Sequence, residues 1–256
     1  TADVQIIADG RNSNTAGTAS SYITAVVSNF NDHWRKDHGL PPAVLTSTDR
    51  AWYNPNLDTR WNMIPGLIGQ LAMFQTLLLT AMSVAREREQ GTFDQLLVTP
   101  FRPFEIMAGK AMPSMLVGIV QATGVFLVAQ LWFRIPFAGS IITLYSGLVV
   151  FLLAAIGIGL LVSAVASTMQ QAMLYALLLI MPFSLLSGLT TPLNNMPRAL
   201  QYLTAINPLR YAIDIARRVY LEGAGLHLLS HDLLPLALIA AVTLSAASWM
   251  FGHRMT

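Results

Sequence analysis

Five uncharged, apolar tracts limit what this chain can fold into more than any other feature: residues 62–85, 111–133, 140–166, 172–191 and 233–252. About 20 apolar residues in helical form cross a hydrocarbon core of ~30 Å. At 1.5 Å per residue the first tract alone reaches ~36 Å. Only a helix satisfies its own backbone hydrogen bonds over such a run in lipid. The expected fold is therefore an all-α polytopic membrane protein with five spans. Composition agrees, because 11% of residues are charged, against roughly a quarter in a soluble domain. The charges cluster before Trp61, between Arg86 and Lys110, and between Arg198 and Asp232.

Several functions are excluded at this stage. A net charge of +2 without a basic run gives no footprint for nucleic acid. With no cysteine, a disulfide framework, a thiolate metal site and a cysteine nucleophile are all impossible. Residues 1–17 are polar and lack the apolar core of a signal peptide.

Residues 1–61 read as a small soluble α+β domain. Residues 4–8 alternate like a short strand, 43–45 form a second candidate, and Asp9-Gly10 supplies turn chemistry. Thr15 or Thr18 is expected to cap a helix running to about Trp34, with Ala19, Tyr22, Ile23, Val26, Val27 and Phe30 on one face. His33 and His38, with Asp32 and Asp37 nearby, fit no metal-ligand spacing and read as a solvated helix end.

The spans carry their own signals. Pro113 lies near the start of the second, where proline is tolerated, and Pro182 is expected to bend the fourth. The third is rich in small residues, Gly147, Ala154, Ala155, Gly157, Gly159, Ser163 and Ala164. Such residues let helices approach closely in lipid, so this face is expected to pack against another helix.

Between the first two spans lies the charged element 86–110. Arg86, Glu87, Arg88 and Glu89 precede Gly91-Thr92 and a helix-like run over 93–98, which Pro100 and Pro103 stop. It is either an ordinary solvated loop or a small amphipathic element held at the surface for a partner to grip.

Residues 192–232 are neither loop nor span. Met196-Pro197 opens one short helix that ends at Asn207-Pro208, and a second runs from Leu209 to Leu221. Arg210, Asp214, Arg217 and Arg218 share a face of the second, so Asp214 can pair with any of the three arginines. Glu222-Gly223-Ala224-Gly225 terminates it. Two short helices returning to one side make a re-entrant or an interfacial hairpin.

With five spans, residues 1–61 and the C-terminus lie on opposite faces, and the positive-inside count does not orient the chain. Two rival classes remain. A channel or secondary transporter of small molecules, independent of ATP, would place ionisable residues inside its spans, and the tracts hold none. An intramembrane protease would need Ser187-Gly188 as its nucleophile, yet every histidine lies outside the tracts.

The residues resemble one family. Glu87-Arg88-Glu89-Gln90-Gly91-Thr92, Leu96-Leu97-Val98-Thr99-Pro100 and Gly109-Lys110 look like a signature of ABC-2 type transporter permeases. So do Asn195-Met196-Pro197, Leu200-Gln201-Tyr202, Asn207-Pro208-Leu209-Arg210-Tyr211 and the stretch 217–225. Tyr53-Asn54-Pro55 with Pro65-Gly66 is similar to the bacterial drug-efflux-like branch.

The resemblance implies an extracytoplasmic domain, 1–61, and a transmembrane domain, 62–256. It also implies a cytoplasmic coupling element at 86–110 and an external hairpin at 192–232. Glu87, Arg88, Glu89, Gly91, Thr92, Phe93, Leu96 and Leu97 would couple to a separate ABC ATPase. Pro197, Asn207, Pro208, Arg210, Tyr211, Asp214 and Arg217 would build the hairpin.

The implied function is ATP-driven export of an amphiphilic, drug-like or lipid-like substrate through a bacterial inner membrane. A second permease chain, identical or paralogous, the lipid bilayer and a periplasmic adaptor are the further candidate partners. The chain binds no cofactor itself, and ATP and Mg enter through the ATPase. Gly109-Lys110 lacks phosphate-loop spacing, and no Gly-rich turn follows a strand. Such permeases have six spans, the first before the external domain, so the first span is expected to lie outside this chain through truncation or processing.

Overall fold

The computed structural model describes residues 7–9, 13–39, 50–52, 59–92, 103–191, 193 and 196–254. The chain divides into two compact units, Thr1–Asn62 and Met63–Thr256.

In the first unit, β1 (Ile7–Asp9) pairs in parallel with β2 (Arg50–Trp52), in the register Ile7 to Arg50 and Asp9 to Trp52. Between them runs α1 (Ser13–Asp37). The helix starts before Thr15 and Thr18, which lie inside it rather than at its cap. Gly39, in the left-handed region at φ 62°, follows its last turn. Tyr22, Val26, Phe30 and Trp34, four apart, are all exposed. The expected α+β domain is not supported. Its strands amount to two three-residue segments among the described residues, and the long helix buries no apolar stripe against them. The strand expected at 43–45 lies outside the described residues.

His33 and His38 each give a ring N–H back to the carbonyl four residues earlier, at 3.0 and 2.8 Å. His38 also stacks on Trp34. The two rings are thus used along their own helix end.

The second unit is a helical bundle. Its helices are α2 (Thr59–Glu89, entering the unit at Met63), α3 (Pro103–Leu131), α4 (Ile141–Val165), α5 (Met169–Leu185), α6 (Arg198–Thr204), α7 (Pro208–Arg217) and α8 (Leu226–Arg254). Four of them, α2, α3, α4 and α8, are long and apolar enough to cross a membrane. The fifth expected span differs: α5 has 17 residues, about 26 Å of helix, and begins at Met169 rather than at 172. Its end comes three residues after Pro182.

Helix α4 is the hub, buried along most of its length. Its small residues seat its neighbours, as expected. A Cβ on Gly159 would lie 2.7 Å from Thr80 of α2, one on Gly147 would lie 2.7 Å from Ile215 in α7, and one on Gly157 would overlap Thr243 of α8. With little hydrophobic drive between helices in lipid, such close approach is the main source of attraction. Outward faces stay apolar: Met112, Leu116 and Val120 on α3, Leu174, Leu178 and Met181 on α5, and Leu234, Leu238 and Val242 on α8. Trp132, 82% exposed, follows α3, and exposed Trp249 sits near the opposite end of α8. Aromatic rings of this kind anchor at both interfaces of a bilayer.

One end of the bundle gathers the end of α2, the start of α3 and the ends of α4 and α8 around Val84, Met107, Ile156, Leu160, Ala164, Ala247 and Phe251. We call it the Glu87 end. The opposite, hairpin end holds the 134–140 connection, α6, α7 and the start of α8.

Candidate functional site

At the Glu87 end, α2 runs through its charged residues and stops at a glycine. Gly91 has φ 70°. Thr92 N–H donates to Glu87 O at 3.0 Å, and Gly91 N–H donates to Arg88 O at 3.1 Å. This pair of bonds is the Schellman closure, which needs a left-handed residue just past the helix. The chain leaves the described residues at Thr92 and returns at Pro103, and Glu87 pairs with Lys110 of α3 across that exit.

The next two side chains reach the turn between α4 and α5. Arg88 Nη1 donates to the carbonyls of Ala164 at 2.9 Å and Ala166 at 3.2 Å. Glu89 Oε2 accepts from Met169 N–H at 2.8 Å. Sequence reasoning assigned Glu87 and Glu89 to contacts with a partner; both are engaged within the chain. The signal it missed was Thr168 and Gln171, the pair that starts α5 where Glu89 reaches it. Phe93, Leu96 and Leu97, expected to fill a partner's cleft, lie outside the described residues.

At the hairpin end, Pro197 precedes α6, and Thr204 in its last turn is fully buried. Asn207, buried, caps α7: its Oδ1 accepts from Leu209 N–H at 3.0 Å, while its Nδ2 donates to Phe183 O at 2.7 Å in the last turn of α5. Pro208 fills the first helical position, where a missing N–H costs nothing. Leu209, Ile213, Ile215 and Ala216 are buried, and a Cβ on Gly69 of α2 would meet Ala212 at 3.2 Å. Helix α7 therefore wedges between α2 and α4. After Arg217 the helix widens into a π-helical turn, Arg218–Glu222, closed by left-handed Gly223 as expected.

The arginines of α7 interact with Asp214, as the spacing expects, and each also reaches beyond it. Arg218 pairs with Asp232 of α8 at 2.9 Å. Arg217 donates to the carbonyls of Gly188 and Leu189, both at 3.3 Å, and Arg210 to Thr204 Oγ1 at 2.7 Å. Tyr211 OH donates to Ala205 O at 2.9 Å. Burial pushes the Asp214 carboxyl up, and Asp232 adds to this; Arg217, Arg218 and Arg210 pull it back. Asp232, 6% exposed, lies inside α8, which begins seven residues before the expected span at 233. Ionisable side chains thus reach into the bundle from the hairpin, although the tracts themselves are uncharged.

Ser187 is a turn residue. Its hydroxyl donates to Ser184 O at 2.6 Å and accepts from Leu189 N–H at 3.2 Å. No group of three or more metal-ligating side chains occurs among the described residues.

Comparison with known proteins places this architecture. The family described as ABC-2 type transporter matches residues 38–221. The "Probable multidrug ABC transporter permease YbhR" of Escherichia coli (strain K12) is 43% identical over all of this chain and 69% of its own length. "Inner membrane transport permease YhhJ" of the same strain is 30% identical over 97% of this chain and 67% of its own length. "Probable multidrug ABC transporter permease YbhS", also of that strain, is 30% identical over 87% of this chain and 60% of its own length. The chain belongs to the ABC-2 type transporter family and is a transmembrane permease of an ABC transporter.

Proposed function

We propose that this chain forms half of the membrane pathway of an ATP-driven exporter in a bacterial inner membrane. In this reading a separate ABC ATPase docks on the 86–110 element from the cytoplasm, and a second permease chain completes the path. Residues 1–61 and the 192–232 hairpin face outward. The observation that carries the reading is the Glu87 end. There α2 closes on Gly91 and Glu87 ties it to Lys110, so the segment between the two helices springs from one polar, braced platform.

The energy comes from ATP hydrolysed on the partner. This chain's residues receive it: Gly91 sets the direction in which the segment leaves α2, and Phe93, Leu96 and Leu97 supply apolar side chains for the ATPase cleft. The outward apolar faces of α3, α5 and α8 and the names of the relatives support an amphiphilic, drug-like or lipid-like substrate. The charges of the hairpin face helix ends and each other, which favours a structural role over an ion relay.

A photo-crosslinking amino acid at Gln95 of the full-length protein, in living cells, tests this. An adduct with an ABC ATPase is expected. Adducts confined to periplasmic or exported proteins would invert the orientation and remove the coupling role.

A further inference from the structure

One turn at the Glu87 end cannot close itself. Helix α4 ends at Ala166 in extended conformation, φ −73° and ψ 139°, with no left-handed residue to fold back over its last carbonyls. Helix α5 starts just beyond, where the first N–H groups of any helix lack partners. Two of the donors around that start are met locally: Thr168 Oγ1 accepts from Gln171 N–H at 3.2 Å, and Gln171 Oε1 accepts from Ser167 N–H at 3.1 Å.

Three further groups are met from α2. Arg88 takes the carbonyls of Ala164 and Ala166, and Glu89 takes the N–H of Met169. The signs suit the helix dipoles, a cation at a C-terminus and an anion at an N-terminus. One turn further in, Ser163 Oγ accepts from Val84 and Ala85 N–H, both at 3.2 Å. Three consecutive fastenings join the same two elements.

We propose that Arg88 and Glu89 are positioning residues that lock the α4–α5 turn to the end of α2 as one rigid block. Motion imposed on the 86–110 element then reaches α4 and α5 directly, in addition to α2 and α3. The inference rests on the reading of 86–110 as the ATPase-coupling element. Its consequence is large because α4 seats α2, α7 and α8 on its glycines.

These 256 residues hold no cysteine; any cysteine elsewhere in the full-length complex is first replaced by serine, so that each reporter is read alone. Leu131→Cys and Leu185→Cys place exposed thiols at the far ends of α3 and α5. Maleimide labelling rates are measured in the full-length permease–ATPase complex in lipid nanodiscs, without nucleotide and after trapping with ATP and vanadate.

In the otherwise unmodified complex both rates should change on trapping. In Arg88→Ala/Glu89→Ala the Leu131→Cys response should persist, while the Leu185→Cys response falls to the untrapped rate. Glu89→Ala alone, at an exposed bond, should weaken the Leu185→Cys response without threatening the fold. Glu89→Gln keeps the acceptor and should retain it. A Leu185→Cys response that survives the double substitution overturns the block, as does loss of both responses together. Absence of any trapping response at Leu131→Cys in the unmodified complex instead removes the coupling reading, and the proposal with it.

Discussion

Glycines packed against backbone mark the hairpin end of the bundle, while those described at the Glu87 end are open. At the hairpin end a Cβ on Gly139 would overlap the Val219 carbonyl, one on Gly66 would overlap Leu189, and one on Gly223 would lie 2.9 Å from Ala138 O. At the Glu87 end, Gly91 and Gly109 meet nothing within 4 Å of the Cβ position among the described residues. One end is therefore closed by backbones packed where side chains are missing. The other is held by long polar side chains reaching helix termini, with open space around them. Close packing resists gradual deformation, so the hairpin end should be the less yielding of the two.

The sharpest way to break this contrast is Gly139→Ala. The added methyl would meet backbone atoms, which cannot rotate away, and overpacking of this kind costs about 2–3 kcal/mol. Thermal unfolding in nanodiscs, followed by tryptophan fluorescence, reads the loss. A change under ~0.5 kcal/mol, the size of an ordinary surface substitution, would mean that the hairpin end yields after all.

Next in size is Arg218→Ala. It leaves the Asp232 carboxylate buried without its cation. A lost charged hydrogen bond of this kind costs about 1.5–3 kcal/mol. The lower half of that range applies, because the Arg218 side chain is 35% exposed. Arg218→Met with Asp232→Leu should recover most of the loss, since replacing both partners by apolar groups is often neutral. A double substitution as damaging as the single one would show that the pair does more than neutralise itself.

How much of each end was legible follows from the same contrast. The spans could be read because an uncharged tract of 20 or more residues has few other fates. Residues 140–166 match α4 within a residue at each end. Boundaries were misjudged where helices continue through charge: α2 runs on to Glu89, and α8 starts back at Leu226. In both extensions the charges find partners on another element, Glu87 on Lys110 and Asp232 on Arg218, which no local pattern reveals.

The hairpin was legible in its punctuation, Pro197, Asn207-Pro208 and Gly223, because caps and left-handed turns are local. Its depth was not. Spacing put Asp214 among three arginines on one helical face, where their charges do act on it; it did not reveal that Arg217 also reaches carbonyls 28 and 29 residues upstream. In the first unit the apolar spacing of α1 put residues on one face, and periodicity states no more than that. Tyr22, Val26 and Phe30 share one and are exposed.

At the Glu87 end the effects should be smaller and of a different origin. Gly91→Ala meets no atom, so its cost is the backbone alone, about 1 kcal/mol for a side chain held at positive φ. Gly91→Asn, better tolerated in that region, should lose less. A bulky, β-branched Gly91→Val should redirect the chain beyond Thr92 and reduce ATP-dependent transport while the protein stays in the membrane. Unchanged transport with Gly91→Val would detach this turn from coupling.

The smallest effect should carry the opposite sign. Gly109 is exposed in the second turn of α3, one residue before Lys110, with open space at its Cβ position. Glycine inside a helix is worse than alanine by about 0.5–1 kcal/mol, because it loses more backbone freedom on folding. Gly109→Ala should therefore raise the unfolding temperature, where Gly139→Ala lowers it. The methyl also stiffens the residue beside the Glu87–Lys110 pair without touching either side chain, so the platform should be braced rather than disturbed. A lowered unfolding temperature would show that the space beside Gly109 is filled in the intact protein, and that the Glu87 end is less open than its glycines indicate.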